Sequence, residues 1–331
     1  MNLAKLTATA ACLAAWAIAP VKAEELKLAN FMSPNHPYET AVFGDFAKRV
    51  SDATGGEVTV QVYSGGELGP GPAEQYKRAV DGVADIIFGL PGYTAANFPM
   101  TLLAELPGVI TEEGGTQALL DNLSQLDNEY RRVKLLGLWT NAPNALFMRE
   151  KPVRSLDDIA GLKIRVPSRN AGLIVESWGA TPVSMPVPEI YNAMQTGVLD
   201  GAFIDGTATF AFKLSEVTQY ITTGMNSSMS SFFLVMNRDS FGDLDADQQA
   251  AVAQAGLDIS LIANKVQLGG AHKGLADFQA AEGKELITLS PEAAAAFDAA
   301  SAPVVGAVVA EAEANGLAAE AFITALQAST Q

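Results

Sequence analysis

Arg165 is the side chain in this sequence best placed to do chemistry. It lies between Ile164 and Val166 in Leu162-Lys163-Ile164-Arg165-Val166, a run that reads as a strand closed by Pro167. Ligands of α/β sheets bind beyond the carboxyl ends of strands. A guanidinium there either pairs with an acid of the fold or offers a planar fork of donors to a bound anion. Charge alone favours the structural pairing.

Other chemistry is sparse. His36 and His272 are the only histidines, far apart and without metal-ligand spacing. No GxSxG elbow, P-loop or strand-linked GxGxxG is present. Gly65 to Gly71 is glycine-rich but carries Glu67 and no lysine, so it reads as a plain loop. Asp200 and Asp205 flank a strand end, where acid–base or metal roles compete with commoner capping ones. With no arranged nucleophile, base or ligand set, neither catalysis nor a cofactor nor a metal is expected. The single cysteine, Cys12, excludes an intrachain disulfide and a Cys-based zinc site.

The chain has 331 residues, 49% apolar and 18% charged, which suits two packed domains. Its formal charge of −16 argues against nucleic acid and anionic membranes as partners, since both require a basic footprint. Lys5, the apolar stretch Leu6 to Ala19 and the small residues of Val21-Lys22-Ala23 read as a signal peptide over residues 1–23, cleaved after Ala23. Export to a periplasm is the implied destination. No later segment reads as long and apolar enough to cross a bilayer.

The elements around Arg165 follow from periodicity. Leu26 to Asn30 is a short strand, Tyr38 to Ala53 an amphipathic helix, and Glu57 to Tyr63 an alternating strand. Ala73 to Gly82 is helical and Ala84 to Leu90 an apolar strand, which completes the β-α-β-α-β opening of a doubly wound sheet. Val133 to Thr140 is a further core strand. A second α/β pattern starts near residue 150, with Ser155 and Ser168 as helix caps and Leu199 to Ile204 as a strand. Ser231 to Asn237 is an apolar strand that returns the chain to the first domain. A long helical pattern from Ala246 to about Ala281 is interrupted at Gly269-Gly270, and an Ala-rich helical tail follows.

Several runs then fall into one order: Asn35-His36-Pro37, Thr54-Gly55-Gly56, Gly66-Glu67-Leu68-Gly69, and Leu106-Pro107-Gly108. Asp157 to Pro167, Gly179-Ala180-Thr181-Pro182-Val183, Glu189-Ile190-Tyr191, Gln195-Thr196-Gly197 and Asp200-Gly201 continue it. Together they resemble the extracytoplasmic solute-binding subunit of TRAP transporters, the DctP family, over nearly all of the mature chain. The resemblance implies two α/β domains with an interdomain ligand cleft, hinge strands and a long helix spanning both. The boundaries expected are 24–143 with 231–272 for the first domain and 144–230 with 273–331 for the second. It also implies an organic acid as ligand and the small and large membrane subunits of a TRAP permease as partners. A monomer is the expected state. By the same resemblance Arg165 pairs with the ligand carboxylate.

Two departures bear on the ligand. Ile204 stands where many members carry an Asn, and Phe88-Gly89-Leu90 replaces a polar strand end of some sugar-acid binders. This depletion of polar readout predicts a monocarboxylate with an apolar or aromatic body. Further lining is expected from positions beyond strand ends: Asn30, Phe31, His36, Leu90, Tyr93, Asn144, Ile204, Asp205 and Phe210, with Asn141 and Phe212 as additional candidates.

Overall fold

The computed structural model describes residues 23–330, so the signal-peptide reading, with Cys12, falls almost wholly outside the described residues. In chain order the first half runs β1 (Glu24–Ala29), α1 (Asp45–Ala53, entered through a π-helical turn at Glu39–Gly44), β2 (Val58–Tyr63), α2 (Gln75–Val80), β3 (Ile86–Gly89), α3 (Gly115–Asp121) and β4 (Val133–Thr140). The second comprises β5 (Ala145–Met148), α4 (Leu156–Ile159), β6 (Lys163–Val166), α5 (Arg169–Ser177), β7 (Thr181–Ser184), α6 (Ile190–Gln195), β8 (Gly201–Ile204), α7 (Ala208–Ala211) and β9 (Tyr220–Thr223). The chain closes with β10 (Ser231–Asn237), α8 (Arg238–Asp243), α9 (Ala246–Ala280), β11 (Glu285–Thr288), α10 (Pro291–Ala314) and α11 (Ala319–Ser329).

The strands form two sheets, ordered β2-β1-β3-β10-β4 and β11-β9-β5-β8-β6-β7. In the first, β1 runs parallel to β2 and β3, while β10 returns antiparallel to β3 and β4. Because β3 and β10 are covered on both faces, they read as continuous apolar runs. Phe232, Leu234 and Met236 face one apolar cluster, and Phe233 and Val235 face the other. In the second sheet β6 is parallel to β7 and β8, whereas β5 is antiparallel to β8 and β9.

The polypeptide crosses between the sheets at 141–144 and 224–230. These two segments are tied by backbone bonds from Asn141 N–H to the Ser230 carbonyl (2.9 Å) and from Asn144 N–H to the Ser228 carbonyl (3.0 Å). The third crossing is α9, a single helix of 35 residues and so about 52 Å long. It packs on β4, α1 and α3 at one end and on α7 and β11 at the other. The break expected at Gly269-Gly270 does not occur. Glycine costs a helix about 1 kcal/mol per residue, which tertiary packing over the rest of the helix outweighs. Glycine is instead used where backbones touch: a Cβ on Gly137 would lie 2.6 Å from the Gly256 carbonyl oxygen, and one on Gly274 would lie 2.3 Å from that of Gly206. One apolar cluster consequently runs beside α9 and joins Phe43, Phe88 and Trp139 to Phe147, Ile204 and Ile221.

Two expectations for the C-terminal region need correction. Helix α10 is long and apolar enough to cross a membrane by length and composition, with a mean hydropathy of 1.6 over its most apolar 18-residue stretch, because its alanines and valines raise the average. Its Phe297, Ser301, Val308 and Ala312 are buried. Helix α11, assigned from sequence to the second domain, packs instead on α3 and the 101–105 turn, where Phe322 and Leu326 join the cluster under the first sheet.

Candidate functional site

Arg165 is the third residue of β6, opposite Val183 of β7 and Ala202 of β8. Strand alternation sends Ile164 and Val166 into the cluster that holds Trp178 and Phe203, which leaves Arg165 on the face toward the first sheet. Arg165 is only 1% exposed. Its Nε donates to the Met185 carbonyl (2.8 Å), Nη1 to the Phe203 carbonyl (3.5 Å) and Nη2 to the Tyr93 hydroxyl (3.2 Å). Arg165 makes no ion pair among the described residues. Burial lowers its pKa, with Tyr93 and Asp205 opposing that shift, but an arginine so high in the basic range stays charged. A guanidinium has five N–H donors, so one on Nη1 and one on Nη2 have no acceptor among the described residues. Two donors on neighbouring nitrogens are what a carboxylate needs to accept two hydrogen bonds from one guanidinium. An arginine neutralised by an acid of the fold is not what the geometry shows.

Tyr93 comes from the segment after β3, in the first half of the chain. Its hydroxyl also accepts the Val187 N–H at 3.0 Å, so one phenol holds two elements of the second half. A second tie lies behind it. Ser168, the N-cap of α5, accepts the Ala171 N–H and donates to Glu105 Oε2 at 2.6 Å. Asn170 donates to the Leu102 carbonyl at 2.9 Å. Burial raises the Glu105 carboxyl to about 7, against the hydrogen bonds from Ser168 and Ser231.

A small cavity of about 40 Å³ lies between the two sheets, in front of Arg165. Its apolar wall is Phe31, Met32, Leu90, Tyr93, Pro167, Val187, Ile204, Phe212 and Phe232. Phe31 packs on Phe88 with ring centroids 5.2 Å apart, and Phe232 packs on the same ring at 5.4 Å, so the wall is braced from behind. Its polar members are His36, Asn141, Asn144, Asp205, Thr207, Ser230 and Gln267. His36 Nδ1 accepts the Tyr38 N–H at 3.1 Å, and burial lowers its pKa to about 4, so the ring is neutral at pH 7 with its proton on Nε2.

Asp205 is the polar hub. It accepts from Thr207 N–H (2.9 Å), Thr207 Oγ1 (2.5 Å), Asn141 Nδ2 (2.9 Å) and Gln267 Nε2 (3.0 Å). Burial raises its pKa while these bonds pull it down. The donors come from β8's following loop, the hinge and α9, so the carboxylate ties the three together. Among the described residues no group of three or more His, Cys, Asp or Glu side chains is placed to hold a metal ion.

The structure brings Phe31, His36, Leu90, Tyr93, Asn144, Arg165, Ile204 and Asp205 to one cavity, together with Asn141 and Phe212. Two expected positions lie elsewhere. Asn30 is fully buried, and its side chain accepts the Met32 N–H at 2.8 Å and reaches Ser64, so it braces the loops after β1 and β2. Phe210 is 42% exposed, and its ring lies beside Gly270 of α9, because the short α7 turns it outward while Phe212 turns in. Sequence reading missed Gln267, Thr207, Val187, Phe232 and Ser230. For Gln267 a signal existed: with Ser260 and Asn264 it places polar side chains on the buried stripe of α9.

Comparison with known proteins gives one consistent picture. A profile of the DctP family, described as bacterial extracellular solute-binding protein, family 7, matches residues 28–312. A solute-binding protein of Albidiferax ferrireducens is 28% identical over 226 residues, and the match spans 66% of this chain and 66% of that relative. The C4-dicarboxylate-binding periplasmic protein DctP of Rhodobacter capsulatus is 25% identical over 84% of each chain. Among solved structures, a TRAP solute-binding protein from Rhodoferax ferrireducens with copurified benzoate superposes with a TM-score of 0.87 at 28% identity, covering 92% of this chain and 97% of that one. A marine metagenome TRAP solute-binding protein, specific for aromatic acid ligands and bound to 3-hydroxybenzoate, gives 0.87 at 26% identity, covering 93% and 98%. The mixed α/β architecture with two sheets is the one those TRAP proteins share.

Proposed function

The chain belongs to the bacterial extracellular solute-binding proteins of family 7, and from that membership we propose that it captures an aromatic monocarboxylate between its two domains and delivers it to a TRAP permease. The family is one of binding proteins, not enzymes. The observation that carries the ligand class is Arg165, a buried cation with two free N–H donors at an aromatic and aliphatic cavity. The carboxylate takes the fork and the ring takes the wall of Phe31, Leu90, Ile204 and Phe232. Each methylene-sized unit buried there contributes about 0.8 kcal/mol, so the apolar body supplies much of the affinity. The benzoate and 3-hydroxybenzoate carried by the two solved relatives support the same class.

Binding proceeds by hinge closure about the 141–144 and 224–230 crossings. The ligand favours the closed arrangement because it touches residues of both domains at once. Tyr93 completes the arginine site only when the domains meet, which links carboxylate capture to closure. The small and large membrane subunits of the permease are the partners of that closed form. The protein acts as a monomer in the periplasm after cleavage following Ala23.

The test is native mass spectrometry of the purified mature chain, with identification of anything released on denaturation, followed by calorimetry against benzoate, mandelate, succinate and galacturonate. Tight binding of the aromatic acids with weak binding of the other two supports the reading. Preference for galacturonate or succinate refutes it.

A further inference from the structure

The amide of Gln267 has one orientation, and it leaves an acceptor unused. Nε2 donates to Asp205 Oδ1 (3.1 Å), Asp205 Oδ2 (3.0 Å) and Thr207 Oγ1 (2.9 Å). The Thr207 hydroxyl spends its own proton on Asp205, so its oxygen is free to accept. Reversing the amide would set Oε1 against a carboxylate, which fixes the nitrogen toward Asp205 and the oxygen away from it. Oε1 is buried and has no hydrogen-bond donor among the described residues, and Gln267 as a whole is only 3% exposed. Buried acceptors are almost always paired, and this one belongs to a side chain that lines the same cavity as Arg165. The obvious neighbour is already committed: Asn141 Nδ2 bonds Asp205 and Asn144.

We infer that Gln267 Oε1 accepts a hydrogen bond from the ligand, so that the ligand is an aromatic monocarboxylate bearing a neutral hydroxyl donor on its ring. The inference rests on the aromatic-acid reading above and narrows it. Arg165 reads the carboxylate and Gln267 reads the hydroxyl. Asp205 and Thr207 do not touch the ligand hydroxyl but hold the amide in register, which makes them positioning residues. A site built to pair a hydroxyl discriminates strongly against the analogue that lacks it, because the protein acceptor is then left unpaired.

The experiment is calorimetry of the mature wild-type chain with benzoate, 3- and 4-hydroxybenzoate, and 3- and 4-methoxybenzoate at one pH and salt concentration. The methoxy compounds keep the ring oxygen but cannot donate. The expected result is at least about tenfold tighter binding of one hydroxybenzoate than of both benzoate and its own methoxy counterpart. Equal or tighter binding of benzoate, or a methoxy compound that matches its hydroxy partner, overturns the inference while the aromatic-acid reading stands. Absence of binding by the whole series overturns both. A Gln267→Met variant provides a second readout, the ratio of hydroxybenzoate to benzoate affinity within one preparation, which general destabilisation does not move. That ratio should fall toward one, and an unchanged ratio removes Gln267 from the role.

Discussion

Replacing Arg165 separates its charge from its geometry. The wild-type guanidinium holds Met185, Phe203 and Tyr93 with three N–H groups and offers the ligand the other two. Arg165→Lys keeps a positive charge on a shorter, rounder head whose three donors are contested by the same protein acceptors. At least one of the two ligand bonds is lost. A hydrogen bond to a charged group contributes about 1.5–3 kcal/mol, so benzoate affinity should fall by roughly 10- to 150-fold. Arg165→Ala loses both bonds and the charge, a cost of about 3–6 kcal/mol, or more than roughly 100-fold. The assay is calorimetric titration at pH 7, with circular dichroism to establish that each variant folds. Because the pair is buried, the loss should persist at high salt, where exposed pairs are screened. A folded Arg165→Lys chain within threefold of wild type would refute the reasoning, as would an Ala variant that binds more tightly than the Lys variant.

Glu105→Gln should change the pH dependence of stability. The folded carboxyl is raised to about 7, so its stabilising contribution is present below the unfolded pKa and is lost as pH rises through about 7. At 1.36 kcal/mol per pKa unit this amounts to about 3 kcal/mol, so the variant's melting temperature should gain on wild type between pH 5 and pH 8, and a constant gap would contradict it. His36, lowered to about 4 by burial, acts oppositely, since stability falls as pH drops below about 6.5 toward 4. With Glu105 neutralised, denaturation curves should therefore show stability rising across that window, and a flat profile would count against the His36 assignment. Gly206→Ala places a Cβ 2.4 Å from the Ala271 carbonyl oxygen, which forces the Asp205 loop off α9. Overpacking of this kind costs about 1–3 kcal/mol and should weaken ligand binding as well. Gly242→Ala in α8 meets no atom within 4 Å, and equal melting temperatures for the two variants would refute the packing argument.

Elements with a long or strictly alternating pattern were legible from the residues alone. Strands β4 and β10 appear at Val133–Thr140 and Ser231–Asn237, as their apolar runs predict. The parity of β6 and β8 also carried over: Arg165 faces away from Ile164 and Val166, and Ile204 lines the cavity while Phe203 packs on Trp178. Strands β5, β9 and β11 are as long as β6, four residues each, but unlike its Lys163-Ile164-Arg165-Val166 they show no polar–apolar alternation. Their pairing with longer neighbours supplies what local pattern cannot.

The sequence by itself determined the charge of the surface, the order of elements and the one strand arginine flanked by apolar neighbours. Those properties are local, and they are set by side-chain type and by periods of two and 3.6 residues. Tertiary structure decided which side chains converge. Asn30 and Phe210 occupy positions as promising in sequence as those of Phe31 and Phe212, but hydrogen bonding to Ser64 claims one and the turn of α7 exposes the other. Gln267 meets Asp205 across 62 residues only because α9 runs unbroken through Gly269-Gly270 and packs against Gly206. The register of a long helix against a distant loop depends on close packing of backbones, and that is a property of the assembled fold alone.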